Sequence, residues 1–272
     1  MNRNPVTKRT LIFYLVITLV IVVSSISVIW LPKENSVSKS TEDSAKIPPL
    51  IAFLPFIAYI VMILLPIIYK RQDKESFVWG HRFFKGVYLG FLLMTMIFLI
   101  ELASGFIHID DLTPDYQNAL IGGIILQGIV AFGEELPFRG YILPDMAKKY
   151  GSWNAVFLSS AFFSILHIPS ILTLNLSQTN IIIMLLTITI AEVLLALCYL
   201  YDGLSMSIGF HFTWNFFQYH VYSLRQDFGG ILKITSDNQL ITGGTFGPEA
   251  GLLGLFVVIL AFIVVFFWMQ SR

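Results

Sequence analysis

The sequence predicts an all-α fold, a polytopic transmembrane bundle of about eight spans with both termini cytoplasmic. Three observations predict it. Of the 272 residues, 56% are hydrophobic and 12% charged, where a soluble domain carries roughly 25% charged residues; the mean hydropathy is +0.76. Apolar runs close to the ~20 residues needed to cross hydrocarbon recur along the whole chain. The basic residues between those runs collect on alternate connections.

In order, the expected spans are Leu11–Leu31, Ile47–Tyr69, Gly86–Ile107, Ala119–Met146, Trp153–Leu174, Asn180–Tyr201, Leu204–Tyr222 and Gly251–Met269. The first follows Arg3, Lys8 and Arg9, as a signal peptide would. Its apolar run exceeds the ~7–15 residues of a signal core and no Ala-x-Ala site is evident, so it reads as an uncleaved helix. Arg3, Lys8 and Arg9 precede the first span, Lys70, Arg71, Lys74, Arg82 and Lys85 fall in the second connection, and Arg139, Lys148 and Lys149 count to the fourth. The third connection has Asp110, Asp111 and Asp115 with no Lys or Arg, and the fifth has no charge. That alternation fits the positive-inside rule for an even number of spans. Ser36–Lys46 and Ser223–Pro248 read as external loops.

Composition also limits function. A net charge of zero gives no electrostatic case for a nucleic-acid partner, and the single Cys198 cannot form an intramolecular disulfide. No internal repeat or broken helix pair supports a transporter. The chain reads as one membrane domain, 1–272, in contact with lipid throughout.

Against this apolar background stands Gly133-Glu134-Glu135-Leu136-Pro137-Phe138-Arg139-Gly140. Charges inside a membrane helix are costly, on the order of several kcal/mol, and mark functional sites by default. Other polar residues inside expected spans are His167, Glu192, His211 and Asn215. At ~1.5 Å rise per residue they fall in one band of the membrane with Glu134. Glu135 and Arg139, four apart, share a helix face and suit an ion pair, while Glu134 points elsewhere and is free for chemistry. His211 and Asn215 also share a face. His220 points to roughly the opposite side, and it, His81 and His108 read as structural. Glu192 reads as structural, or as a partner to a histidine or to Arg139. Pro137 is expected to kink its helix.

The elements Glu134-Glu135-x-x-x-Arg139, Phe163-x-x-x-His167 and His211-x-x-x-Asn215, in this order on successive apolar helices, resemble the CPBP intramembrane proteases. That family comprises type II CAAX prenyl endopeptidases and bacterial bacteriocin-processing or immunity proteins often labelled Abi. The motifs cover about Ile121 to Tyr222, so the resemblance implies a catalytic helical core at 119–222. It implies an endopeptidase acting on a peptide or membrane-protein substrate in a bacterial plasma membrane. Two mechanisms suit the residues. In one, Glu134 and His167 hold and deprotonate a water while His211 and Asn215 stabilise the oxyanion, with Glu135 and Arg139 in support and no cofactor. In the other, Glu134, His167 and His211 bind zinc. The alternative to an enzyme is a membrane scaffold or bacteriocin-immunity protein that binds a partner helix.

Overall fold

A computed structural model describes residues 8–29, 49–69, 81–114, 116–226 and 229–271. Arg3, Lys70, Arg71, Lys74 and Asp115, and the loop expected at Ser36–Lys46, lie outside the described residues. The helices are α1 (Lys8–Ile29), α2 (Pro49–Tyr69), α3 (His81–Ala103), α4 (Tyr116–Pro137), α5 (Leu143–Tyr150), α6 (Ser152–Ile171), α7 (Gln178–Asp202), α8 (Leu204–Phe216), α9 (Gln239–Thr242) and α10 (Leu252–Gln270). π-helical turns at Phe138–Ile142 and Phe217–Val221 extend α4 and α8.

Among the described residues, five helical stretches are long and apolar enough to cross a membrane: His81–Ala103, Tyr116–Tyr150, Ser152–Ile171, Gln178–Asp202 and Leu252–Gln270. α1 and α2 add shorter apolar stretches, Thr10–Ser24 and Phe53–Tyr69. The expected span at Leu204–Tyr222 is divided into a 13-residue helix and a π turn. The chain is thus an all-α polytopic bundle.

Two sequence expectations need correction. Ile107 ends no helix: α3 stops at Ala103, and Ile107–Leu112 forms a strand, β1, antiparallel to β2 (Leu232–Ser236). The alternating pattern of six residues is too short to stand out beside helical runs, and only the distant partner strand satisfies its backbone. Arg139, counted above with the loop charges, lies inside the bundle at 2% exposure and so cannot orient a loop.

The fold is inside-out relative to a soluble protein. On α4, Ile121, Ile124 and Ile125 are exposed, whereas Gln127, Glu134 and Glu135 are buried. The lipid side needs no polar group, and every polar group must find a protein partner. One apolar cluster joins α3, α7, α8 and α10 through residues such as Met94, Leu194, Phe210 and Val258. A second joins α1, α2 and α6 to the first π turn through Phe13, Met62, Phe163 and Phe138. The charged residues of the centre lie between these clusters.

Close backbone approach fixes α8. Gly86 and Gly90, one turn apart on α3, face α8 so tightly that a Cβ at Gly86 would overlap Met206 O, and one at Gly90 would come within 2.7 Å of Phe210 O. Gly209 returns the contact, a Cβ there overlapping Phe83 O. This is the small-residue packing that membrane helices use in place of a hydrophobic driving force. At the other face, Gly203 (φ +83°) makes the single-residue turn between α7 and α8. A φ in that region is readily reached only without a Cβ.

The 223–250 segment is a folded cap rather than an open loop. Asn180, near the N-terminus of α7, donates both amide hydrogens to it, to Gln239 O at 3.0 Å and Ala250 O at 2.8 Å. Replacing Gly90 by Leu is expected to push α8 from α3 and destabilise the protein by about 1–3 kcal/mol, read as a lower unfolding temperature in detergent.

Candidate active site

The centre of the bundle holds a network of buried charge. Arg139, in the π turn that follows Pro137, sits between two carboxylates from different helices. Its Nη1 donates to Glu135 Oε1 at 3.2 Å, and its Nη2 lies 2.8 Å from Glu192 Oε2 while donating to Glu192 O at 2.9 Å. The side chains of Arg139, Glu135 and Glu192 are 3%, 0% and 4% exposed. A proline has no backbone N–H to donate, and such breaks in the ladder are relieved by π geometry, which is frequent at functional sites. Here the proline ends α4 without breaking the continuous 35-residue helical stretch.

Glu135 does more than balance Arg139. It also accepts from His211 Nδ1 at 2.8 Å and from Ser207 Oγ at 2.5 Å. Three donors hold one carboxylate, which locks its rotamer and with it the ring plane of His211. Because the carboxylate only accepts, His211 Nδ1 carries a proton and directs Nε2 at Glu134, whose Oε2 is 3.6 Å away. The other oxygen of Glu134 accepts from Tyr59 OH at 2.9 Å.

His167 is held by its own helix. Its Nδ1 donates to Phe163 O, four residues earlier, at 2.9 Å, and its ring stacks on Phe163 at 4.3 Å between centroids. That single residue therefore sets both the tautomer and the plane of the imidazole, leaving Nε2 uncommitted. Arg139 lies over the far partner of this stack, 5.9 Å from the Phe163 centroid. Asn215 is 7% exposed and makes no side-chain hydrogen bond with the described residues, so its amide is open to a ligand.

The structure thus brings Glu134, Glu135, Arg139 and His211 into direct contact, with Asn215 one turn beyond His211. His167 interacts electrostatically with the same region through Glu249. Glu192, read on sequence grounds as structural or as a partner to a histidine or to Arg139, pairs with Arg139. His220 is buried against Gln127, Nε2 to Nε2 at 3.1 Å, and His108 of β1 pairs at 2.9 Å with Asp237, just past the end of β2.

Three residues of the site escape the sequence reading. Ser207 was legible: it lies four before His211 and eight before Asn215, on one face of α8. Tyr59 carries no signal, being one aromatic residue in an apolar helix. Glu249 sits in the segment read as a loop, and Trp214 Nε1 donates to its Oε1 at 3.3 Å. Burial pushes the Glu249 carboxyl above the usual range, with Arg225, the Trp214 hydrogen bond, His211 and His167 opposing that shift.

A zinc site at Glu134, His167 and His211 finds no support in this geometry. Among the described residues, no group of three or more His, Cys, Asp or Glu side chains is placed to hold a metal ion. His211 already spends Nδ1 on Glu135, and its Nε2 to Glu134 distance of 3.6 Å leaves the pair offset. A zinc ion takes such ligands at ~2.0–2.2 Å.

Residues 116–217 match the family described as type II CAAX prenyl endopeptidase Rce1-like. Over that stretch, less than half of the chain, the match supports a place in the CPBP family. No curated protein and no solved structure matches it. The matched stretch contains Glu134, Glu135, Arg139, His167, Glu192, Ser207, His211 and Asn215; Tyr59 and Glu249 lie outside it. With five membrane-length helices, the chain is an integral membrane protein, and the family matched by residues 116–217 is described as one of endopeptidases.

Removing one partner of a buried ion cluster leaves the others uncompensated. Arg139→Met is therefore expected to destabilise the protein by about 3–5 kcal/mol. Adding Glu135→Gln and Glu192→Gln is expected to recover much of that loss, as measured by denaturation in detergent micelles.

Proposed function

We propose that this protein is a CPBP-type intramembrane endopeptidase that hydrolyses a peptide bond with a water activated by Glu134 and His167. What supports the reading is the state of Glu134. Tyr59 ties down one oxygen, and the other faces His211 Nε2 across 3.6 Å, too far for a direct hydrogen bond and suited to a bridging water.

In this scheme the water oxygen attacks the scissile carbonyl carbon as its proton passes to Glu134 Oε2. The uncommitted Nε2 of His167 orients the water. Negative charge then develops on the carbonyl oxygen, and His211 Nε2–H and the Asn215 amide donate to it. A His211 ring that donates from both nitrogens is positively charged, and Glu134 and Glu135 flank it to compensate that charge. Collapse of the tetrahedral intermediate breaks the C–N bond, and Glu134 returns its proton to the leaving amine. Glu135 and Arg139 act through His211 and through the helix carrying Glu134, so they are positioning residues.

The substrate class follows from the family: a peptide or membrane protein reaching the site from the bilayer, with a prenylated C-terminal peptide as the first probe. The catalytic core is 119–222 within a single membrane domain. The described charges support an orientation with both termini cytoplasmic, and the family resemblance favours a bacterial plasma membrane. Arg82, Lys85, Lys148 and Lys149 gather at one end of the bundle, whereas Asp110, Asp111 and Asp237 lie at the other.

In bilayer nanodiscs, Glu134→Gln is expected to lower kcat on such a peptide by about 10²–10⁴-fold, with folding retained. His167→Ala and His211→Ala should be similarly impaired. Wild-type turnover by the Glu134→Gln protein would remove Glu134 as the base, and binding of a partner helix without any turnover by the wild-type protein would leave helix binding, not hydrolysis, as the function. Because the donor set does not converge on a metal, EDTA should leave the rate unchanged; loss of activity restored by added zinc would reverse that reading.

A further inference from the structure

α2 lies outside the stretch that matches the family, yet it reaches the centre of the site. Tyr59 OH donates to Glu134 Oε1 at 2.9 Å. The approach depends on the residue just before Glu134: a Cβ placed on Gly133 would stand 2.5 Å from Tyr59 Cδ1 and 3.3 Å from Cε1. The ring therefore presses its Cδ1 side against the bare backbone of α4, in space that a Cβ at 133 would take. Gly133 has helical geometry, not a positive φ. Its lack of a side chain is thus needed for contact and not for backbone conformation.

The contact matters because of what surrounds Glu134. His211 lies 3.6 Å from its free oxygen, and the Arg139 charge is close by in the same network. A carboxylate in a low-dielectric interior is drawn strongly toward such groups. An untethered Glu134 would close onto His211 Nε2, removing both the base and the oxyanion donor from use. A single charge-assisted hydrogen bond on the opposite oxygen resists that collapse and keeps the gap open.

We propose that Tyr59, seated on Gly133, is a positioning residue that holds Glu134 away from His211 so that its second oxygen meets the reacting water. This rests on the hydrolytic reading of the site.

Tyr59→Phe keeps the ring and removes only the hydroxyl. It is expected to lower kcat roughly 10- to 100-fold, the worth of one hydrogen bond to a charged group, with KM and unfolding temperature unchanged. Difference infrared spectra supply a readout that altered packing would not move. The carboxylate stretch identified by its absence in Glu134→Gln should shift in Tyr59→Phe. Gly133→Ala, a substitution that favours the helix, should lower kcat by displacing the ring. In a Tyr59→Ala background, where the ring is gone, Gly133→Ala should add no further loss.

Wild-type kcat and an unshifted carboxylate band in Tyr59→Phe would overturn the proposal, as would fully additive losses for Gly133→Ala and Tyr59→Ala. The two readings separate cleanly. An inactive Glu134→Gln protein beside a fully active Tyr59→Phe protein refutes the role of Tyr59 and leaves hydrolysis standing. A fully active Glu134→Gln protein refutes Glu134 as the base and, with it, the role of Tyr59.

Discussion

Among the described residues, Arg139 is the only cation that touches both of the buried carboxylates at the centre, Glu135 from α4 and Glu192 from α7. None of the three could remain in this interior alone, because an isolated charge there is far more costly than a paired one. Their pairing makes the relative placement of α4 and α7 a condition of stability. α8 joins through Ser207 and His211, both hydrogen-bonded to Glu135. The same carboxylate therefore closes the helix assembly and orients a catalytic candidate.

Backbone devices put the side chains where that network needs them. Pro137 ends α4 and the π turn after it carries Arg139 inward. The glycines of α3 and α8 allow their backbones to touch, which seats His211 and Asn215 at a fixed height. Phe163 supplies both a carbonyl acceptor and a stacking surface to His167. Each device acts by removing freedom: a lost donor, a missing Cβ, a ring held on both sides. A polar site in an apolar bundle depends on such restriction, since water is absent to satisfy groups that stray.

The site also draws on more of the chain than the matched segment. Tyr59 enters from α2, and Glu249 enters from a short turn beneath the cap that Asn180 pins to α7. Glu249 combines a hydrogen bond from Trp214, beside Asn215, with electrostatic interactions to both histidines. The helices that carry no motif are therefore walls of the site and not only membrane anchors.

By itself, the sequence determined the class of the fold, because twenty-residue apolar runs have one stable form in a bilayer and backbone groups bond within each helix. It also determined which polar residues are anomalous, and, through the four-residue helical period, that Glu135 and Arg139 meet and that His211 and Asn215 share a face. Ser207 was within reach of the same period. The short strands β1 and β2 were not, because their backbone partners lie more than a hundred residues apart. Nor was the burial of Arg139, which loop-charge counting also assigned to a connection, since burial depends on neighbours from other helices. Tyr59 and Glu249 had no periodic or compositional mark at all. Tertiary structure alone decided them, because a hydrogen bond between helices distant in sequence is set by how the bundle packs, and packing leaves no trace in local pattern.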